Sequence, residues 1–170
     1  MSLEQKINNL ETDLHIMGTL VLDSLVGAVR ALEDKDTLKA SEVMDKDDEI
    51  DDAYMKIDQD WFELMATEQP VASDLRLSTS ILQASLHLER LGDLSVYLGK
   101  TTHEIHDLPI PESLHKIVVE MGDMVIDMAS SALESLKNRD AELALSTARK
   151  DELINSLYNI FWFTNFYIPG

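Results

Sequence analysis

Apolar side chains recur along this chain at steps of three and four residues, the period of an α-helix packed on one side. Leu3, Ile7, Leu10, Leu14, Met17, Val21, Ser24 and Ala28 fall on one face of a helix predicted over residues 3–33. The polar run Glu33-Asp34-Lys35-Asp36-Thr37 interrupts it, and Asp36 or Thr37 can cap the helix that follows. That second helix carries Val43, Ile50, Tyr54, Ile57, Trp61 and Leu64 as its buried stripe and ends at Gln69-Pro70-Val71. Pro70 suits the first turn of a third helix reaching about Ile105. Asp107-Leu108-Pro109-Ile110-Pro111 reads as a rigid linker, because each Pro disfavours helix in the residue before it. Two further helices are expected, about Glu112 to Lys137 and about Asp140 to Tyr167. Long helices with short links indicate an all-α antiparallel bundle.

An internal repeat organises these helices. Sliding the chain by 104 residues aligns Met17-Gly18 with Met121-Gly122, Asp23 with Asp127, Ala28 with Ala132 and Leu32 with Leu136. The same shift superposes Asp36 on Asp140, Ala40 on Ala144, Lys46-Asp47 on Lys150-Asp151, Ile50 on Ile154 and Tyr54 on Tyr158. Two unrelated amphipathic hairpins would share apolar positions but seldom the Gly, the turn Asp and the Lys-Asp pair together. The reading is a tandem repeat of three-helix bundles, residues 1–107 and an incomplete 108–170, with five long helices of an expected six. The counterpart of Glu89 falls beyond position 170. The closing segment from Phe161 to Gly170 is dense in aromatics and should be buried, against the bundle or another chain.

The third helix holds the candidate chemistry. Leu75, Leu82, Leu86, Glu89 and Asp93 form one row, and Leu77, Ile81, Ala84, Leu88, Leu91 and Leu98 form a second row opposite. A helix apolar on two sides is sandwiched, so Glu89 and Asp93 are expected to point into protein. Carboxylates so placed need protonation, a basic partner or a metal ion. Residues four apart on a helix stand about 6 Å from one another, close enough to chelate or bridge one cation. Asp47, Asp51 and Asp58 form an acidic row on the second helix that could converge with them. Oxygen-only ligands suit Mg, Mn, Ca or Fe better than structural Zn. The competing readings are that Asp47 and Asp51 are merely solvated, and that Arg90 satisfies a buried carboxylate as a plain ion pair. His87 falls on the polar side of its helix. Glu112 and His115 have the Glu-x-x-His spacing of di-iron bundles, but the chain has no second such pair. No Ser-His-Asp, Cys-His or Gly-rich phosphate loop is present, so catalysis is not expected.

Composition narrows the rest. Asp plus Glu total 32 against 14 Lys plus Arg, a formal charge of −18, which repels phosphate backbones and anionic lipid and argues against nucleic-acid binding. It would attract cations or a basic protein surface, so a metal-free acidic scaffold docking a basic partner is the alternative. Cysteine is absent, which removes disulfides and thiolate sites and fits a reducing compartment. The first residues show no secretory pattern, and no run of about 18 apolar residues is apparent, so a cytoplasmic protein is expected.

Asp47-x-x-Ile50-Asp51, Gln69-Pro70-Val71-Ala72-x-Asp74-Leu75-Arg76 and Leu88-Glu89-Arg90-Leu91-Gly92-Asp93 together resemble the PhoU family of phosphate-transport accessory proteins. The resemblance runs along nearly the whole chain. It implies two three-helix bundles side by side, with multinuclear metal clusters bound by acids spaced like Glu89 and Asp93. Glu89 and Asp93 would then be ligands, with Asp47 and Asp51 next and Asp151 as the counterpart of Asp47 in the second repeat. Asn155 replaces the acid expected opposite Asp51. The resemblance further implies a homodimer or higher oligomer, at most peripheral to the membrane. It would link the phosphate ABC transporter ATPase to a sensor histidine kinase and repress the phosphate-starvation response.

Overall fold

The computed structural model describes residues 1–163 and is all-α. Its elements are α1 (Leu3–Asp34), α2 (Thr37–Asp45), α3 (Asp47–Glu68), α4 (Ala72–Ile105), α5 (Glu112–Asn138), α6 (Ala141–Arg149) and α7 (Asp151–Trp162). The rod expected over the second helix thus divides into α2 and α3, and the fifth into α6 and α7. Both breaks fall at a lysine of the 104-residue register, Lys46 and Lys150, where backbone N–H groups bond three residues back, to Val43 and Thr147. The expected C-terminal helix extends past α7, and residues 164–170 of the aromatic tail lie outside the described ones. Within the described part, Trp162 and Phe163 are exposed rather than buried.

Local chemistry sets the ends of these helices. Ser2 accepts from the Gln5 backbone N–H while the Gln5 side chain accepts from Ser2 N–H, a reciprocal cap that starts α1. α1 and α5 both end in a left-handed residue, Lys35 and Arg139. Each is followed by an aspartate whose N–H reaches back five residues, Asp36 to Ala31 and Asp140 to Ser135, both at 2.8 Å. The same aspartates then cap the next helix, Asp36 accepting from Leu38 and Lys39 N–H and Asp140 from Leu143 N–H. One residue closes one helix and opens the next, so the turn needs no extra chain.

α1 is the central rod, packed on α3, α4 and α5. Its stripe Ile7, Leu10, Leu14, Met17 and Val21 is buried and meets Ile50, Ile57 and Leu64 of α3 and Ile81 and Leu88 of α4. By length and composition alone α1 could cross a membrane, contrary to the expectation of no such run, but half of its most apolar stretch is buried inside the bundle. Burial of apolar surface against neighbouring helices is what that hydrophobicity serves here.

α4 departs most from expectation. Its fully packed line is Ser78, Ile81, Ser85, Leu88, Gly92, Ser95, Val96, Gly99 and Thr102, largely small residues. The row expected to be packed is open: Leu75 is 42% exposed and Leu86 37%. Hydroxyls can line a core because each donates to a carbonyl one turn back, Ser78 to Asp74, Ser85 to Leu82, Ser95 to Leu91 and Thr102 to Leu98. Small side chains let α4 lie close to α1, α2 and α3 together.

The two repeats meet through α1 and α5. A Cβ at Gly18 would lie 2.8 Å from Leu133, and one at Gly122 would lie 2.8 Å from Val29. Gly18 and Gly122 are equivalent under the 104-residue shift, as are Val29 and Leu133. Each repeat therefore offers the same groove and the same knob to the other. Among the described residues α7 has no fully buried side chain, and Leu145, Leu153 and Ile160 are exposed.

Gly18→Val should destabilise the chain by about 1–3 kcal/mol, as overpacking does. Urea unfolding of Gly18→Val alone and combined with Leu133→Ala checks this. The second change should recover part of the loss, since it vacates the space the new side chain invades.

Candidate functional site

Close approach of two helices creates the acidic site. A Cβ at Gly92 would lie 3.1 Å from the Ile50 side chain, so α4 and the start of α3 touch there. Ile50 stands between Asp47 and Asp51, and Gly92 stands between Glu89 and Asp93. Pressing Ile50 onto Gly92 therefore brings the i, i+4 pair of one helix opposite the i, i+4 pair of the other. All four carboxylates flank one contact.

Their environment is a helix groove at the surface, not the enclosed interior expected for Glu89 and Asp93. Glu89 and Asp47 are half-buried, while Asp93 and Asp51 are exposed. The apolar row that was to enclose them, Leu75 and Leu86, faces outward instead. As the side chains stand, no three acidic or His groups come close enough to hold a metal ion among the described residues. The neighbouring charges nevertheless act on Glu89 and Asp47. Partial burial, then the charges of Asp93 and Asp51, push the Glu89 carboxyl above its ordinary range, with Asp47 adding to this and Arg90 opposing it. Asp47 is likewise pushed up, first by burial and then by Asp51 and Asp93, with Lys100 opposing. Arg90 forms no ion pair with either acid among the described residues, so the plain ion-pair reading is not how Glu89 is balanced here.

Asp151, the remaining expected ligand, has different surroundings. It is exposed on α7, accepts a hydrogen bond from Asn155 at 2.9 Å, and lines the apolar groove between α4, α5, α6 and α7. Asp58 is exposed on α3. His87 is exposed, and His115 is used structurally, its Nε2 lying 2.9 Å from the Glu33 carbonyl oxygen. Lys100, two turns beyond Asp93, is the positive charge that eases Asp47, a role that the sequence reading does not assign. Its signal was the spacing Asp93-x6-Lys100 along one helix.

Comparison with known proteins places the fold. A family model described as the PhoU domain matches residues 14–102 and 118–161. The chain belongs to the PhoU family. It is 32% identical over 153 residues to a Pseudomonas putida phosphate-specific transport system accessory protein PhoU homologue, covering 90% of this chain and 60% of that one. A Clostridium acetobutylicum homologue of the same description is 31% identical over 159 residues, covering 91% and 71%. The chain thus spans 60% to 63% of the length of the Pseudomonas PhoU relatives it matches. Among solved structures, PhoU from Pseudomonas aeruginosa superposes with a TM-score of 0.90 at 31% identity, covering 94% of this chain and 76% of that one. The Streptococcus pneumoniae phosphate transport system regulatory protein PhoU gives 0.88 at 28% identity, covering 96% and 76%. The helical architecture is that of PhoU.

Partial burial together with repulsion within the cluster has a measurable sign. Glu89 and Asp47 hold their protons to higher pH in the folded chain than in the unfolded one. Their contribution to stability is therefore greatest below the ordinary carboxylate range and is lost as pH rises through the raised values. In chelator-treated protein, Glu89→Gln should raise Tm at neutral pH, and the gap should close on acidification through that window. A lower Tm for Glu89→Gln at neutral pH would show instead that a favourable partner holds the carboxylate.

Proposed function

We propose that this chain is a metal-binding regulatory adaptor of phosphate uptake, acting by protein contact rather than by catalysis. The observation that carries the reading is the convergence of Asp47, Asp51, Glu89 and Asp93 across the Gly92–Ile50 contact. Partial burial and the neighbouring acid charges raise the proton affinity of Glu89 and Asp47, so a cation placed among the four carboxylates would relieve a cost already present. The donor set fits a hard or borderline ion such as Mg, Mn, Ca or Fe, which takes oxygen ligands and tolerates water beside them. These side chains sit at the surface, so rotamer changes on two rigid helices suffice to close them on an ion. Asp151 would serve only a separate site in the second repeat, where Asn155 offers an amide oxygen in place of a carboxylate.

The regulatory half of the proposal rests on family membership and on the names of the relatives. In this reading the chain works at the cytoplasmic face, as a homodimer or higher oligomer. It couples the phosphate ABC transporter ATPase to a sensor histidine kinase and lowers the starvation response when phosphate is plentiful.

Elemental analysis of protein purified without chelator tests the metal half. The expected result is bound Mn, Fe or Mg that dialysis against EDTA removes, with a fall in Tm as the ligand-linked stabilisation is lost. Glu89→Ala with Asp93→Ala should reduce the bound metal at least severalfold while circular dichroism is unchanged. Unchanged metal in that variant would remove these acids as ligands. Absence of metal together with salt-sensitive, chelator-insensitive capture of a basic partner would favour the acidic docking scaffold.

A further inference from the structure

A second site of opposite character lies where the two repeats meet. A cavity of about 360 Å³ opens where α1, the start of α4 and the last turn of α5 meet. Its floor is apolar, formed by Leu14, Leu77, Ile81, Leu133 and Leu136. Its wall carries Lys137 and Arg139, with Glu11 as the only carboxylate among the described residues, a local excess of one positive charge in a chain of net −18. Arg139 is paired with Glu11 at 3.1 Å, but Arg139 is well exposed and Glu11 only half-buried, and such a pair is weak and easily rearranged. Lys137 has no ion pair among the described residues. His15 also lines the cavity, and its Nε2 is buried without a hydrogen-bond partner among the described residues. A buried polar atom in that state is costly unless something satisfies it.

The size falls at the lower end of small-molecule pockets, about 300–1,000 Å³, and an apolar floor with a few convergent polar groups is how such pockets are built. We propose that this cavity binds a small organic monoanion, a carboxylate on a compact apolar body. The apolar part lies on Leu14 and Leu136, and the carboxylate meets Lys137 at the rim. A single excess positive charge matches one negative charge, which disfavours dianionic phosphate esters. Lys137 also suits the negative C-terminal end of α5. That role is indifferent to ligand, and the test separates the two. The cavity is contributed by both repeats, so its occupant would bridge α1 and α4 to α5 and stiffen the joint between them.

Calorimetric titration of the purified chain with 4-phenylbutyrate, 4-phenylbutanol and 4-phenylbutylamine reads this directly. Saturable one-to-one binding of the acid is expected, about tenfold tighter than the alcohol, with no saturation by the amine. Lys137→Gln should weaken the acid about tenfold and leave the alcohol unchanged, since it removes only the charge. Thr12→Trp, which fills the mouth from α1, should abolish both, with circular dichroism intact. If either variant fails to fold, the other still decides. Methyl shifts on saturation should fall on Leu14 and Leu136. Equal affinity for acid and alcohol, an unaffected Lys137→Gln, shifts confined to the Ile154 groove, or no saturation by the acid would each overturn the proposal.

Discussion

A helix can approach another most closely where its side chain ends at hydrogen or a single small group, and such approaches govern this fold. Gly92 admits Ile50, Gly99 admits Ala40 and Met44, and Gly18 and Gly122 admit Leu133 and Val29. Every one of these contacts fixes rotation and axial position together, because interiors packed to crystal density leave no slack to slide. The acidic site is a by-product of one such contact. Asp47 and Asp51 straddle Ile50 as Glu89 and Asp93 straddle Gly92, so seating one side chain aligns four charges. Moving the helices apart by the width of a methyl group would disperse the cluster without changing any acid.

The periodicity of apolar residues was sufficient to locate the helices and their order, because amphipathic stripes on α1 and α3 coincide with what is buried. The 104-residue repeat was equally legible, since turn aspartates and glycines that sliding aligned turn out to hold equivalent caps and contacts. Two features were not. α4 buries serines and a threonine whose hydroxyls are satisfied by their own helix, so hydropathy pointed to the leucines instead and turned the helix to the wrong side. Glu89 and Asp93 were expected to be enclosed for that reason, whereas Glu89 is half-buried and Asp93 faces solvent. The helix breaks at Lys46 and Lys150 also escaped notice, because no Gly or Pro marks them.

Charge is distributed unevenly over the molecule. The α3–α4 face gathers carboxylates around the partly buried Glu89 and Asp47, with Lys100 and Arg90 as partial relief. Near the joint between repeats the balance reverses, with Lys137 and Arg139 at the closing turn of α5. Long-range steering would therefore bring cations to one region and leave the other to short-range recognition, where an apolar floor supplies contact area and one ammonium supplies sign.

The reciprocal Gly18–Leu133 and Gly122–Val29 contacts have an ancestral corollary. A lone unit, before duplication, would have carried knob and groove on the same helix, the arrangement of an isologous two-fold pair. Such a unit could satisfy itself by pairing with an identical molecule. Joining the two copies in one polypeptide would have preserved that handshake while freeing each half to diverge, as the Asp51 and Asn155 positions have done.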